Sequence, residues 1–100
     1  IIMSGLPFTA EQAYEWGMVN EVCDAADLMP KVMPLAKTIC DNAPISVRQI
    51  TKAINASMNI DLQSGLNFEI QCYERMISTE DRHEGVRAFN EKRKPQFKGR

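Results

Sequence analysis

The stretch STEDRHEGVRAFNEKRKPQFKGR, residues 78–100, is the most informative part of this chain. Ser78 and Asp81 have the spacing of a helix N-cap and its N3 partner. Glu80 and Glu84 add negative charge to the first turn, where the helix dipole favours it. The spacing predicts a helix that begins near Thr79.

The same stretch also predicts an apolar helix face and a basic end. Val86, Phe89 and Arg93 recur at three and four residues, which gives one face an apolar centre. Basic side chains crowd the last turn, and Pro95 stops the helix near Lys94. The tail that follows is basic, and its Phe97 is either packed against a neighbour or exposed.

Upstream of this ending, the N-terminal region predicts a short helix and an extended segment. Thr9 is a suitable N-cap with Gln12 at N3, and Gly17 supplies a stop, so a helix is expected over about residues 10–16. Residues 18–22 alternate and contain β-branched side chains, which favours a brief extended segment. An isolated strand needs a partner strand, and the sequence offers no second convincing one.

The middle of the chain predicts three longer helices. Asp24 or Asp27 caps the first of them, in which Pro34 should produce a kink because it removes an internal hydrogen bond. Pro44 occupies the first position of the next helix, which ends near residue 59. Asp61 caps a fourth stretch over residues 62–77. The fold class is therefore all-α, with about five helices, divided into residues 1–23 and residues 24–100.

Composition and charge exclude several classes of protein. The 100 residues support one small domain, and the net charge of -1 argues against a protein devoted to nucleic acid. Three widely spaced cysteines favour neither a disulfide framework nor a zinc site, so we expect no metal. No apolar run approaches a membrane span of roughly 20 residues. The chain begins Ile1-Ile2, which leads us to expect a piece of something longer.

Three segments together resemble the enoyl-CoA hydratase (crotonase) family. They are SGLPFTAEQAYEWGMVNEV at residues 4–22, NAPISVRQITKAIN at 42–55 and the ending at 78–100. Their order is that of the family, and they span nearly the whole chain. Any one of them is a weak signal, but three in register are specific.

The resemblance implies a larger enzyme with an N-terminal ββα spiral and a C-terminal helical region that assembles trimers or dimers of trimers. Backbone N–H groups stabilise the enolate of a coenzyme A thioester, and two glutamates handle protons and water. In the family these groups lie upstream of residue 1. We therefore expect no catalytic residue in this chain and no activity from it alone.

Three residues fall where the family contacts coenzyme A. They are Phe89 and Tyr73, as aromatic contacts, and Lys92, as a point charge for a phosphate. Phe89 and Lys92 are three apart on the expected helix, which would place them on one face. The alternatives are core packing for Phe89 and Tyr73, and a favourable helix-dipole position for Lys92.

Two functions remain open from the sequence. The first is the C-terminal part of an enoyl-CoA hydratase, or of an isomerase, thioester hydrolase or decarboxylase of the same family. The second is a helical self-association module without activity. For the first, the expectations are an acyl-CoA substrate, no cofactor, no nucleic-acid or membrane partner, a homo-oligomer, and a location in the cytoplasm or the mitochondrial matrix.

Overall fold

The computed structural model describes residues 1–100, which form five α-helices and no strand. The helices are α1 (Ala10–Glu15), α2 (Leu28–Cys40), α3 (Pro44–Ser57), α4 (Leu62–Ile77) and α5 (Glu80–Asn90). A 3₁₀ turn over Ala25–Asp27 runs into α2. The all-α prediction is confirmed. Residues 18–22 do not form a strand, since a strand without a partner leaves its backbone hydrogen bonds unmade.

The chain divides into two compact units, residues 1–34 and residues 35–100. The division falls inside α2, which runs unbroken through Pro34. A bend at this proline stays a prediction, as does the expected boundary between residues 23 and 24. None of the five helices combines the length and hydropathy of a bilayer span.

Local capping chemistry sets the start of most helices as the sequence predicts. Thr9 and Gln12 form a complete capping box, with each side chain accepting the other's backbone N–H at 3.2 and 2.9 Å. Asp61 Oδ1 accepts the Ser64 N–H at 3.0 Å. Hydrogen bonds from the Ser64 side chain and then from its backbone lower the pKa of the Asp61 carboxyl. Pro44 is the first residue of α3. Asp24 stands before the 3₁₀ turn without a side-chain capping hydrogen bond.

The start of α5 differs from the prediction by one residue. Thr79, not Ser78, is the N-cap, because α4 extends to Ile77 and Ser78 is its C-cap. The Thr79 hydroxyl accepts the Arg82 N–H at 3.2 Å and donates to the Met76 carbonyl at 2.7 Å. One hydroxyl therefore joins the end of α4 to the start of α5.

The prediction of which side of α5 is buried was wrong. Val86 and Phe89 are exposed, whereas Asp81 and Ala88 are buried and Gly85 is half-buried. The buried side is thus the 81–85–88 stripe, which has helical spacing but little apolar character. Hydrophobic periodicity could not find it, because its members are an aspartate, a glycine and an alanine.

The described chain has a very small core. Only three apolar side chains are buried, namely Ala13, Cys72 and Ala88. The chain exposes 8501 Å², whereas a folded monomer of 11.3 kDa exposes roughly 5,700 Å². The excess of roughly 2,800 Å² is as large as the area buried in a substantial protein interface. Many large apolar side chains of these helices are therefore exposed to solvent.

Candidate functional site

The end of α5 is a Schellman motif that has a lysine in the position usually held by glycine. The Arg93 N–H donates to the Ala88 carbonyl at 3.0 Å, and the Lys92 N–H donates to the Phe89 carbonyl at 3.2 Å. Lys92 has φ +53°, and no other non-glycine residue of the chain has a positive φ. The left-handed conformation costs a residue with a Cβ about 1–2 kcal/mol.

This geometry corrects the argument that placed Phe89 and Lys92 on one helix face. The helix ends at Asn90, so Lys92 lies beyond it rather than on its side. The two residues are nevertheless adjacent, because the Lys92 backbone hydrogen bond joins them. Both belong to the turn that closes the helix, and both are exposed to solvent.

The aromatic candidates are not core residues. Phe89 is 84% exposed and Tyr73 is 50% exposed, so the core interpretation was wrong for both. An exposed phenylalanine ring is available to a ligand or to another protein surface. Phe97, in contrast, is half-buried, and a Cβ built on Gly85 would lie 3.7 Å from its ring.

Tyr73 borders a groove between α3 and α4. The groove has a volume of about 650 Å³ and is mostly apolar, with Ile50, Ile54, Leu62, Leu66 and Met76 among its lining residues. Asp61 and Glu69 also border it. The structure thus joins Phe89 and Lys92 through a backbone hydrogen bond and places Tyr73 on the lining of the α3–α4 groove.

Behind the α5 turn, Glu84 fixes the chain that follows Lys92. Its carboxylate binds the Arg93 guanidinium through two hydrogen bonds, at 2.5 and 3.0 Å, and accepts the Gln96 N–H at 2.9 Å. These bonds hold the pKa of Glu84 at about 2 and raise the pKa of Arg93. A bidentate pair of this kind sets geometry as well as charge.

Asp81 holds the end of the tail. It is 2% exposed, and its carboxylate accepts the N–H groups of Lys98 and Gly99 at 2.6 and 2.7 Å. Its own N–H donates to the Arg100 carbonyl at 3.0 Å. Gly99 has φ +75°, and a Cβ there would lie 3.6 Å from Pro44. We call residues 80–100, joined in this way, the helix–tail clasp.

Sequence reasoning missed Asp81 and Glu84 as tail anchors. Asp81 was assigned to a capping pair with Ser78 and Glu84 to the helix dipole, and each is a sufficient local explanation for an acid near a helix start. One signal could have predicted these anchors: Asp81 shares a helix stripe with Gly85 and Ala88, and a glycine, Gly99, lies in the short tail. Neither is informative without the fold.

The described residues contain no group of three or more His, Cys, Asp or Glu side chains that could hold a metal ion. The cysteines are all free, with Cys23 half-buried, Cys40 exposed and Cys72 buried.

A family model for enoyl-CoA hydratase/isomerase matches residues 1–100. The chain belongs to this family, the crotonases. It is 47% identical over 98 residues to the Bacillus subtilis protein YngF, which is named as an enoyl-CoA hydratase/isomerase, and 36% identical over 100 residues to the Escherichia coli 2,3-dehydroadipyl-CoA hydratase. The matches cover 98% and 100% of this chain.

The crystal structure of an enoyl-CoA hydratase from Bacillus anthracis superposes with a TM-score of 0.87 at 43% identity. It covers 91% of this chain, and this chain covers 35% of it. The chain also spans 38% and 39% of the lengths of the Bacillus subtilis and Escherichia coli relatives. The five-helix fold is thus part of the crotonase fold.

Proposed function

We propose that this chain is the C-terminal part of an enoyl-CoA hydratase, a lyase that adds water to 2-enoyl-CoA thioesters in fatty-acid or acyl-CoA metabolism. The match to the family over residues 1–100 carries the proposal. Hydration is favoured among the family reactions because relatives from Escherichia coli, Arabidopsis thaliana and Clostridium acetobutylicum are named as hydratases. Relatives named for isomerase or dehydratase activity make those reactions the alternatives.

Within that enzyme, the chain contributes binding and assembly rather than the chemical step. The glutamates and the oxyanion hole would come from the remaining part of the protein, so residues 1–100 alone are inactive. The acyl-CoA is the substrate, and the reaction needs no metal or further cofactor. We place the enzyme in the cytoplasm, or in the mitochondrial matrix of a eukaryote, without nucleic-acid or membrane partners.

The coenzyme A contact is proposed at Phe89 and Lys92, with Tyr73 as a further aromatic contact. Supporting it is the left-handed backbone of Lys92, which glycine would adopt without strain. An exposed Phe89 beside an exposed ammonium suits a ligand with an adenine ring and phosphates. Tyr73 would meet a different portion of the ligand, since it borders the α3–α4 groove.

The test is Lys92→Ala in the complete enzyme, assayed with 2-butenoyl-CoA at low and high salt. One exposed charge–phosphate pair is worth up to about 1 kcal/mol, so KM should rise about fivefold at low salt and less at high salt. The value of kcat should stay the same, because the pair persists from ground state to transition state. Lys94→Ala is the matched control, and an unchanged KM at low salt would remove Lys92 from the site.

A second role, self-association, is favoured by the excess exposed surface. The helices leave apolar side chains such as Ile50, Ile54, Leu66 and Ile70 in solvent. In the enzyme these faces would be covered by the rest of the protein and by neighbouring subunits of a trimer or a dimer of trimers. The isolated 100-residue chain should therefore oligomerise in sedimentation experiments. A strictly monomeric chain at high concentration would contradict this role.

A further inference from the structure

The helix–tail clasp has the form of a hairpin, in which acidic side chains of α5 bind the chain that follows the helix. Going outward from the α5 turn, Glu84 holds Arg93 and Gln96, Asp81 holds Lys98 and Gly99, and Glu80 holds Arg100. The partners are nested, as in a hairpin, so the tail runs back along the helix. Phe89 and Lys92 lie at the turn of this hairpin. The opposite end, which we call the base of the clasp, is where Asp81 and Glu80 bind residues 98–100.

Asp81 is the buried element of this base. Its carboxylate is 2% exposed and is satisfied by two successive backbone N–H groups, without a lysine or arginine partner among its hydrogen bonds. A buried carboxylate is costly unless its oxygens are hydrogen-bonded. The backbone N–H groups of Lys98 and Gly99 therefore compensate for the burial of the Asp81 carboxylate.

The left-handed conformation of Lys92 depends on the structure on both sides of it. A residue with a Cβ stays in that conformation only when the surrounding structure determines it. On one side of Lys92 the helix fixes the backbone, and on the other side Arg93 and Gln96 are fixed by Glu84. Beyond Gln96, Asp81 and Glu80 bind the tail through hydrogen bonds, the Phe97 ring lies beside Gly85, and Gly99 lies beside Pro44.

We propose that Asp81 is a positioning residue for the coenzyme A contact: by anchoring the tail it holds Lys92 in the place from which its ammonium meets a phosphate. The inference deepens the proposed function and rests on it. Asp81 does not touch the ligand and acts through Lys92. Without the anchor, residues 98–100 lose their tie to α5, Glu84 alone restrains the chain after Lys92, and the ammonium is positioned less narrowly.

The experiment uses Asp81→Asn in the complete enzyme, alone and combined with Lys92→Ala. Asparagine keeps the shape but offers a single oxygen, so one of the two tail amides loses its acceptor. Hydrogen exchange at Lys98 and Gly99 should accelerate at least tenfold, and KM for 2-butenoyl-CoA should rise about fivefold with kcat unchanged. In the Lys92→Ala background the second substitution should raise KM no further, because both act through one contact.

Glu80→Gln is the matched control. Glu80 neighbours Asp81 and also binds the tail, but its ion pair with Arg100 is 66% exposed on both sides. Exposed pairs contribute little, so this variant should change neither tail exchange nor KM. If Asp81→Asn does not fold, Gly99→Ala serves instead, since a Cβ at φ +75° strains the tail while every clasp side chain remains.

The outcomes separate the two ideas. If the tail opens and KM stays unchanged while Lys92→Ala raises it, the positioning role is wrong and the coenzyme A contact stands. If neither variant changes KM, the contact itself is wrong and the positioning role falls with it. Unchanged tail exchange, or an additive KM effect in the double variant, also overturns the role of Asp81.

Discussion

Helices α1 and α5 end in the same hydrogen-bond pattern but with different residues at the left-handed position. At α1, the Gly17 N–H donates to Tyr14 and the Met18 N–H to Ala13, at 3.0 and 2.8 Å. At α5, Lys92 and Arg93 make the equivalent bonds. The φ angles are +71° at Gly17 and +53° at Lys92.

The difference separates a helix end that glycine permits without strain from one that carries a residue with a Cβ in the left-handed conformation. Glycine ends α1 without strain, and its sequence signal was read correctly. A lysine at the same position of α5 breaks a local rule, and departures of this kind concentrate at functional sites. The end of α5 is instead maintained by Glu84 and Asp81, which bind the chain beyond it.

The largest expected effect is on the stability of the turn that ends α1, where Gly17 is unstrained. Gly17→Ala introduces a Cβ that meets no atom within 4 Å, so its cost of about 1–2 kcal/mol comes from the backbone alone. Hydrogen exchange at the Met18 amide should accelerate about 5- to 30-fold. Gly65→Ala, inside α4, is the matched control and should be stabilising by about 0.5–1 kcal/mol. Equal effects at the two glycines would contradict the comparison.

At the end of α5, a substitution at the left-handed position should raise the stability of the turn rather than lower it. Lys92→Gly relieves the left-handed strain, so the α5 turn should gain about 1 kcal/mol and exchange at the Arg93 amide should slow about fivefold. The same variant should weaken binding of the CoA thioester as Lys92→Ala does. A turn that becomes less stable would mean that the lysine is not strained.

The N-caps provide a symmetric comparison. Thr9→Ala and Thr79→Ala each remove a hydroxyl that accepts a backbone N–H and should cost about 1 kcal/mol. Thr79→Ala should cost more, because its hydroxyl also donates to the Met76 carbonyl. Urea unfolding measures both, and Thr79→Ser, which keeps the hydroxyl, should remain close to wild type.

The smallest effect concerns pH. The pKa of Glu84 is lowered from 4.5 to about 2, so its contribution to stability is fully present above pH 4.5 and is lost as pH falls toward 2. Acidification from pH 7 to 5 should leave the Gln96 amide chemical shift unchanged, with titration only near pH 2. Glu84→Gln should abolish that titration. A midpoint near 4.5 would show that the clasp is open in solution.

The amino-acid sequence by itself determined what depends on neighbouring residues. The capping box at Thr9, the stop at Gly17, the start at Pro44 and the cap at Asp61 are all interactions within about four residues. They were read from spacing alone because the partners are fixed by the helix itself. The family could likewise be recognised from three local segments in register.

Only the tertiary structure decided the end of α5 and its buried face. The sequence predicted a helix continuing to Lys94, but the partners of Asp81 and Glu84 lie 9 to 18 residues further along the chain. Such contacts depend on how the tail folds back, which no local spacing encodes. For the same reason Phe89, on a periodic stripe, is exposed, while Asp81 is buried: a buried charge is tolerated where the fold supplies its hydrogen bonds.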